Sequence, residues 1–162
     1  MEAGDFGVER FNRYLLRAKN DTRSDLIQHV VMGNESADLD SIVSAAMYAY
    51  FLDRLFPGKD VNVVPLINTG SKSLSLRPEV MFLFAETGVD IGDIASLDSL
   101  CLEQFHSTGR LRLTLVDHND LAVDQSQFTS RIIEIIDHHA DEKRFQGIVH
   151  REIEPVGFNL GR

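Results

Sequence analysis

The stretch VVMGNESADLDS, residues 30–41, decides the fold class. It continues a short apolar run, QHVVM, which predicts a buried β-strand that ends at Gly33-Asn34. Asp38 and Asp40 then precede the apolar segment SIVSAAMYAYFL, and aspartate is favoured where a helix begins. A buried strand that turns directly into a helix is typical of an α/β sheet. Two carboxylates this close repel each other unless a positive charge lies between them.

The same alternation of strands and helices continues on both sides of this stretch. The predicted elements are helices within residues 8–20, 38–55, 78–88 and 95–105, and strands within residues 28–33, 61–68, 110–117 and 130–139. The segment PEVMFLFAETG begins with proline and ends with glycine, the asymmetry expected of a helix. Apolar strands that alternate with helices predict an α/β fold with an open, mostly parallel sheet and helices on both faces.

Composition narrows the classes of function. The 162 residues are 43% hydrophobic, enough for a core, and carry a net charge of −9. An acidic chain is a poor partner for nucleic acid or an anionic membrane, so we expect neither. Cys101 is the single cysteine, which excludes an intrachain disulfide and a cysteine-rich metal site. The longest apolar run, residues 42–52, is shorter than the roughly 20 residues that span a bilayer, and we expect a cytoplasmic location.

Polar residues follow three of the predicted strands. They are Asp38 and Asp40 after the first, Asp117-His118-Asn119 after the second, and Asp137-His138-His139 after the third. Ligands of open α/β sheets bind beyond the carboxyl ends of the strands, so we expect these side chains to meet there. Carboxylate and imidazole ligands suit Mg²⁺ or Mn²⁺, and this many carboxylates indicates two cations. Paired cations are typical of phosphate ester and anhydride hydrolysis.

Taken singly, each motif has a simpler interpretation. Asp38 and Asp40 can cap a helix and complement its dipole, and Asp117-His118-Asn119 can form a turn. The simpler interpretations do not predict that the three motifs lie together, whereas the metal interpretation does.

In this order, GNESADLDS, LVDHN and IIDHH resemble the first three motifs of the DHH phosphoesterase family. The sequence is most similar to the branch that holds the eukaryotic-type exopolyphosphatases and the Prune proteins, from about residue 29 to about residue 156. The resemblance implies release of terminal phosphate from inorganic polyphosphate, or from another small phosphoanhydride. It also implies two divalent cations, Mg²⁺ or Mn²⁺, with Co²⁺ as a further option. Protein partners are not predicted.

The resemblance assigns metal ligands and catalytic groups. Asp38 matches a ligand of the first cation, Asp40 and His138 match ligands of the second, and Asp117 matches the carboxylate that bridges both. His139 matches the imidazole that contacts the reacting phosphate, so His139 and Asp117 are the predicted catalytic residues.

Other residues receive supporting roles from the same resemblance. Asp137 is expected to support the two histidines, and Arg77 to bind phosphate. Asn34 stands where family II pyrophosphatases carry a metal-binding histidine, which should favour Mg²⁺ over softer cations. His118 is a candidate for holding the metal site from outside.

Several polar residues are expected to have a lesser role. Lys72, Lys143 and Arg144 lie near the same edge and are candidates for guiding a polyanion, although a charge run is usually a solvated face. Ser41 is expected to cap or pack rather than to act as a nucleophile. His29, His106 and His150 are expected to be structural or exposed.

Relatives in this family carry a fourth aspartate motif and a C-terminal DHHA2-type domain, which these 162 residues lack. We therefore expect residues 1–162 to be a truncated metal-binding domain with low turnover. Three alternatives stay open: an inorganic pyrophosphatase, a nucleotide phosphodiesterase of the same family, or a non-catalytic regulatory or binding module.

Overall fold

The computed structural model describes residues 5–23, 25–58 and 60–155. The helices are α1 Asp5–Asn20, α2 Leu39–Leu55, α3 Ser71–Leu74, α4 Pro78–Thr87 and α5 Leu102–Ser107, with 3₁₀ segments Ile91–Asp93 and Val123–Arg131. The strands are β1 Ile27–Met32, β2 Val61–Ile67, β3 Ala95–Ser96, β4 Leu111–Val116, β5 Ile132–Asp137 and β6 His150–Ile153. None of the described helices combines the length and the apolar character needed to cross a bilayer.

The strands form one sheet in the order β3-β2-β1-β4-β5-β6, and every neighbouring pair is parallel. The chain builds β1, β2 and β3 toward one edge, then returns to pair β4 with the free side of β1. The boundary between β1 and β4 is therefore the point at which the direction of strand addition reverses. Ligands of such sheets bind outside the carboxyl ends of the strands at this boundary.

Helices cover both faces of the sheet, as the sequence predicts. Successive side chains of a strand point to opposite faces, and in β1 Val31 packs with α1, α2 and α4. Its neighbour Val30 packs instead with α5 and the 3₁₀ segment Val123–Arg131. The predicted α/β fold with an open parallel sheet is confirmed.

The prediction of a helix within residues 95–105 is wrong in position. Ala95–Ser96 form the short strand β3, and helix α5 begins only at Leu102. Asp98 explains the interruption because it accepts hydrogen bonds from the hydroxyl groups of Ser96 and Ser71, each at 2.6 Å. These bonds hold a turn where the apolar spacing alone favours a helix.

Candidate active site

The turn from β1 to α2 is held by side chains of the first motif. A Cβ atom on Gly33 would lie 2.3 Å from the Ser41 hydroxyl, so only glycine allows this close approach. The Ser41 hydroxyl accepts a hydrogen bond from the Asn34 backbone N–H at 2.5 Å, which agrees with its predicted packing role. Ser36 donates from its hydroxyl group, which lies 2.6 Å from Asn34 Oδ1 and 2.9 Å from Asp38 Oδ2. The loop is thus fixed before any ligand binds.

Asp38 and Asp40 differ in what they do for the helix. Asp38 is the N-cap of α2 and accepts a hydrogen bond from the Ser41 N–H at 3.1 Å, so the simpler capping interpretation holds for one of its oxygens. Asp40 lies in the first turn, with its side chain 64% exposed and Oδ2 only 3.4 Å from His138 Nε2. Its carboxylate faces the second and third motifs.

Asp117 lies directly after β4 in a left-handed backbone conformation, with φ of 62°. Its side chain is 5% exposed, and its two oxygens face different groups. Oδ2 accepts a hydrogen bond from Asn34 Nδ2 at 2.8 Å, and Oδ1 lies 2.8 Å from His138 Nε2. Burial raises the pKa of Asp117, the bond to His138 opposes this, and the charges of Asp40 and Asp38 raise it further.

Asp137 ends β5, and its side chain is fully buried. Its Oδ1 accepts from the backbone N–H groups of His138 and His139 and lies 2.7 Å from His139 Nδ1, while Oδ2 accepts from Asn119 Nδ2 at 2.5 Å. Burial alone would raise the pKa of Asp137, but these bonds together lower it. The same contact with Asp137 raises the pKa of His139. Because Nδ1 of His139 is engaged, Nε2 is the nitrogen left for a ligand.

The donor set fits a hard divalent cation. Asp117, Asp137, His138 and His139 each offer one ligand atom, and these atoms all lie within 4.8 Å of one another. Among the described residues, no lysine or arginine forms an ion pair with these aspartates or with Asp40. Oxygen and imidazole donors without a thiolate suit Mg²⁺ or Mn²⁺.

Two hollows open on either side of this cluster. One, of about 550 Å³, is lined by Asp40, His138 and the side chains of α2 that include Met47 and Phe51. The other, of about 310 Å³, includes His139. A substrate therefore has room to approach His138 from the first hollow and His139 from the second.

Arg77 lies at the start of α4 and contacts the loop that carries Asp38. Its Nε donates to the Ala37 carbonyl at 2.6 Å, and its Nη2 donates to the Ser36 carbonyl. The guanidinium group thus braces the first motif, and its predicted contact with phosphate stays a prediction.

His118 makes no hydrogen bond to the site carboxylates among the described residues. Its Nδ1 lies 2.9 Å from the Val116 carbonyl, and its Nε2 is buried without a hydrogen-bond partner in the described part of the chain. Burial lowers the pKa of its imidazole. Its predicted role in holding the metal site therefore stays a prediction.

Within the described residues, the remaining polar residues of the sequence prediction form no ion pair with Asp38, Asp40, Asp117 or Asp137. Lys72 and Lys143 are exposed, and Arg144 forms an ion pair with Asp120 at 3.1 Å. Of the other histidines, His150 is exposed, and His29 is half-buried with Nε2 2.8 Å from the Thr114 hydroxyl oxygen.

Asn119 lies at the site, as expected of a residue that follows β4, but the sequence predicts no role for it there. It is 3% exposed and donates from Nδ2 to Asp137 and to the Ala140 carbonyl, while its Oδ1 accepts from the Glu142 N–H at 2.9 Å. It thereby ties the second motif to the third. The available signal is an amide two residues after Asp117 at a strand end, which indicates its location but not its partners.

Residues 28–157 match the DHH family, N-terminal domain, and the chain belongs to this family. The resemblance of the three motifs is thereby confirmed. Among curated proteins, the chain is 38% identical over 148 residues to the putative exopolyphosphatase of Schizosaccharomyces pombe (strain 972 / ATCC 24843), covering 88% of the chain and 37% of that protein. It is 33% identical over 129 residues to Exopolyphosphatase PRUNE1 of Rattus norvegicus, covering 80% of the chain and 28% of the relative.

A third relative, Protein prune homolog 2 of Mus musculus, is 32% identical over 126 residues, which cover 76% of the chain and 4% of that protein. The match to each of these three relatives thus covers well under half of the relative's length.

Proposed function

We propose that this domain binds two divalent cations and takes part in releasing terminal phosphate from inorganic polyphosphate. The observation that carries the proposal is that Asp117, Asp137 and the imidazoles of His138 and His139 converge at the carboxyl ends of β4 and β5, and that within the described residues no lysine or arginine forms an ion pair with these aspartates. Membership of the DHH family and the exopolyphosphatase names of two relatives support it.

Asp38, Asp40, Asp117 and His138 are the residues proposed to hold the cations. When bound, paired cations neutralise phosphate charge and activate a water as the nucleophile. Asp117 is suited to serve both positions because its two oxygens face Asn34 on one side and His138 on the other.

His139 is proposed to contact the phosphate under attack. Asp137 engages Nδ1 at 2.7 Å and fixes the ring, so that Nε2 can bind or protonate a phosphoryl oxygen. Arg77 is proposed to assist from the first loop, with guanidinium donors beyond those it gives to the Ser36 and Ala37 carbonyls.

Asn34 supports Mg²⁺ as the working cation. It offers a side-chain amide in place of an imidazole, and the Nδ2 of this amide already donates a hydrogen bond to Asp117. Replacement of a soft donor by a harder one lowers the preference for Mn²⁺ or Co²⁺. Asn34→His should therefore raise Mn²⁺ affinity relative to Mg²⁺, and an unchanged ratio would contradict this assignment.

Low turnover is expected for this chain by itself. The side chains of His138 and His139 are 50% and 55% exposed, and stabilisation of developing charge is strongest where water is excluded. The first experiment is therefore metal stoichiometry by calorimetry with Mn²⁺ and with Mg²⁺. Two ions per chain are expected, and absence of binding would overturn the proposal.

A second experiment separates the alternatives. Phosphate release is measured with polyphosphate, pyrophosphate and a cyclic nucleotide as competing substrates in Mg²⁺. Preference for polyphosphate supports the proposal, whereas preference for either of the others identifies a pyrophosphatase or phosphodiesterase. Bound metal without any turnover leaves a site that holds cations but does not act alone, and it favours the non-catalytic module over the two other enzymes.

A further inference from the structure

A second charged hollow lies between α1 and the C-terminal half of α2. It measures about 210 Å³ and is lined by Arg10, Arg13, Tyr14, Arg17, Tyr50, Asp53 and Arg54. Asp38 and Asp40 lie at the start of α2, whereas Arg54 lies in its last turn. At 1.5 Å per residue a helix of this length spans about 25 Å, so the hollow is remote from the carboxylates.

Arginines are concentrated in this hollow although the chain as a whole is acidic. Four of the 16 lysine and arginine residues line this one hollow, although the net charge is −9. Arg10, Arg13 and Arg17 share one face of α1 because residues three, four and seven apart lie above one another. Like charges at this spacing weaken a helix. An anion between the guanidinium groups would turn this repulsion into attraction.

Only one of the four positive charges is neutralised by the described residues. Arg17 forms an ion pair with Asp53 at 2.5 Å. Arg10, Arg13 and Arg54 form no ion pair within the described part of the chain. As far as the described residues go, their donors are therefore available to a ligand.

An aromatic floor gives the hollow a fixed shape. The ring of Tyr50 lies 5.2 Å from that of Tyr14 and 5.1 Å from that of Phe11. The Tyr14 hydroxyl donates to the Val63 carbonyl at 3.0 Å, which ties this floor to the sheet. Arg17 lies over the Tyr14 ring at 5.6 Å. The arginines thus project from two helices held in a set arrangement.

We propose that this arginine hollow binds a condensed phosphate chain. A guanidinium group can donate two parallel hydrogen bonds to two oxygens of one phosphate. Several phosphates in one chain can therefore bind more than one arginine at once. The ligand would be the part of a polyphosphate substrate that lies far from the carboxylates, and this identification rests on the proposed function. The binding of condensed phosphate does not require metal or turnover.

The test uses the whole chain in EDTA, titrated with tripolyphosphate and followed by calorimetry and by the NMR signals of the arginine Nε–H groups. Arg10→Gln together with Arg13→Gln should weaken binding by at least about tenfold, the size expected for lost hydrogen bonds between charged groups. The matched control is Arg110→Gln with Arg112→Gln, which removes the same charge at the start of β4 and should leave binding within about twofold, as expected of uncoupled sites. Thermal unfolding verifies that both variants are folded.

Two results would overturn the assignment. Equal weakening in both double variants would mean general attraction to positive charge, and tripolyphosphate bound no tighter than orthophosphate at matched ionic strength would exclude a chain-specific site. Asp117→Asn in EDTA should bind tripolyphosphate as the unchanged protein does. Loss of metal binding or turnover therefore tests the proposed function separately from this hollow.

Discussion

Asp117 and Asp137 lie at the carboxyl ends of neighbouring parallel strands, and each is 7% exposed as a whole residue, yet their pKa values move in opposite directions. Asp137 is surrounded by donors from Asn119, His139 and two backbone N–H groups, which lower its pKa despite burial. Asp117 also has hydrogen-bonding neighbours but faces Asp38 and Asp40 as well, and its pKa is raised. Burial is the same for both, so the neighbouring groups decide the direction.

The comparison gives a physical reason for the two different roles that the sequence resemblance assigns to these residues. Donors of the protein already supply the hydrogen bonds that the Asp137 carboxylate needs, and this suits Asp137 to position the two histidines. It leaves Asp117 beside further negative charge, so Asp117 gains most from an added cation. Substitutions at the two positions should therefore affect different properties, namely metal binding for Asp117 and stability for Asp137.

The largest effect is expected for Asp117→Asn on metal-dependent phosphate release. Loss of a group that merely supports a metal ligand costs about 10–100-fold, and loss of the shared ligand should exceed this. Asparagine tolerates the positive φ at this position, so the backbone should be preserved. Phosphate release and Mn²⁺ binding are the measurements, with the exposed Asp124→Asn as the control. Unchanged metal affinity would contradict the assignment of Asp117 as a ligand.

Asp137→Ala should have the largest effect on stability. It leaves the donors of Asn119 and His139 and two backbone N–H groups without their acceptor, for a loss of about 2–4 kcal/mol in the free energy of unfolding. Urea unfolding in EDTA measures this without any metal contribution. The control Asp124→Ala, at an exposed site, should change stability by no more than about 0.5 kcal/mol. Equal effects at both sites would remove the distinction between the two roles.

Asp117→Asn should do the opposite and stabilise the metal-free protein at neutral pH. The folded-state pKa of Asp117 is raised, so its ionised form opposes folding above that pKa and the opposition disappears below the unfolded value of about 3.9. A gain of about 1 kcal/mol would raise the Tm by roughly 2–4 °C at pH 7 in EDTA. The gain should shrink as the pH falls toward 4. A lower Tm in the variant at pH 7 would show that the hydrogen bonds of Asp117 outweigh its buried charge.

The smallest change in stability is expected at Asp40. Its side chain is 64% exposed, and Asp40→Asn should alter the free energy of unfolding in EDTA by no more than about 0.5 kcal/mol. The same substitution should weaken Mn²⁺ binding. A loss of metal affinity without a loss of stability would distinguish a metal ligand from a residue that supports the fold. A large loss of stability in EDTA would place Asp40 with Asp137 instead.

Sequence reasoning recovered the parts of the fold that are buried and continuous. The apolar runs of β1, β2, β4 and β5 predict the four longest strands, and the residues that follow three of them predict where the site lies. Strand β3 has only two residues, and β6 reads His-Arg-Glu-Ile with alternating exposure. Neither shows an apolar run, so neither was predicted.

The hydrogen-bond partners of the site were less accessible to sequence reasoning. Asn119 contacts Asp137 across 18 residues, and Arg77 reaches the Ala37 carbonyl across 40 residues. No local spacing encodes such contacts, because they depend on which strands become neighbours. The identities of the acidic and imidazole residues are visible in the sequence, whereas the contacts that hold them in place are not.

The pairing of β1 with β4 also sets when the site can form. The Asn34–Asp117 hydrogen bond joins residues 83 apart, and parallel pairings close long loops before they gain any contact. A chain emerging during synthesis cannot assemble the ligand set until β4 and β5 have been made and docked beside β1. Metal should then bind the native fold in preference to partly folded forms. By mass action it would stabilise the native state only after β4 and β5 have docked.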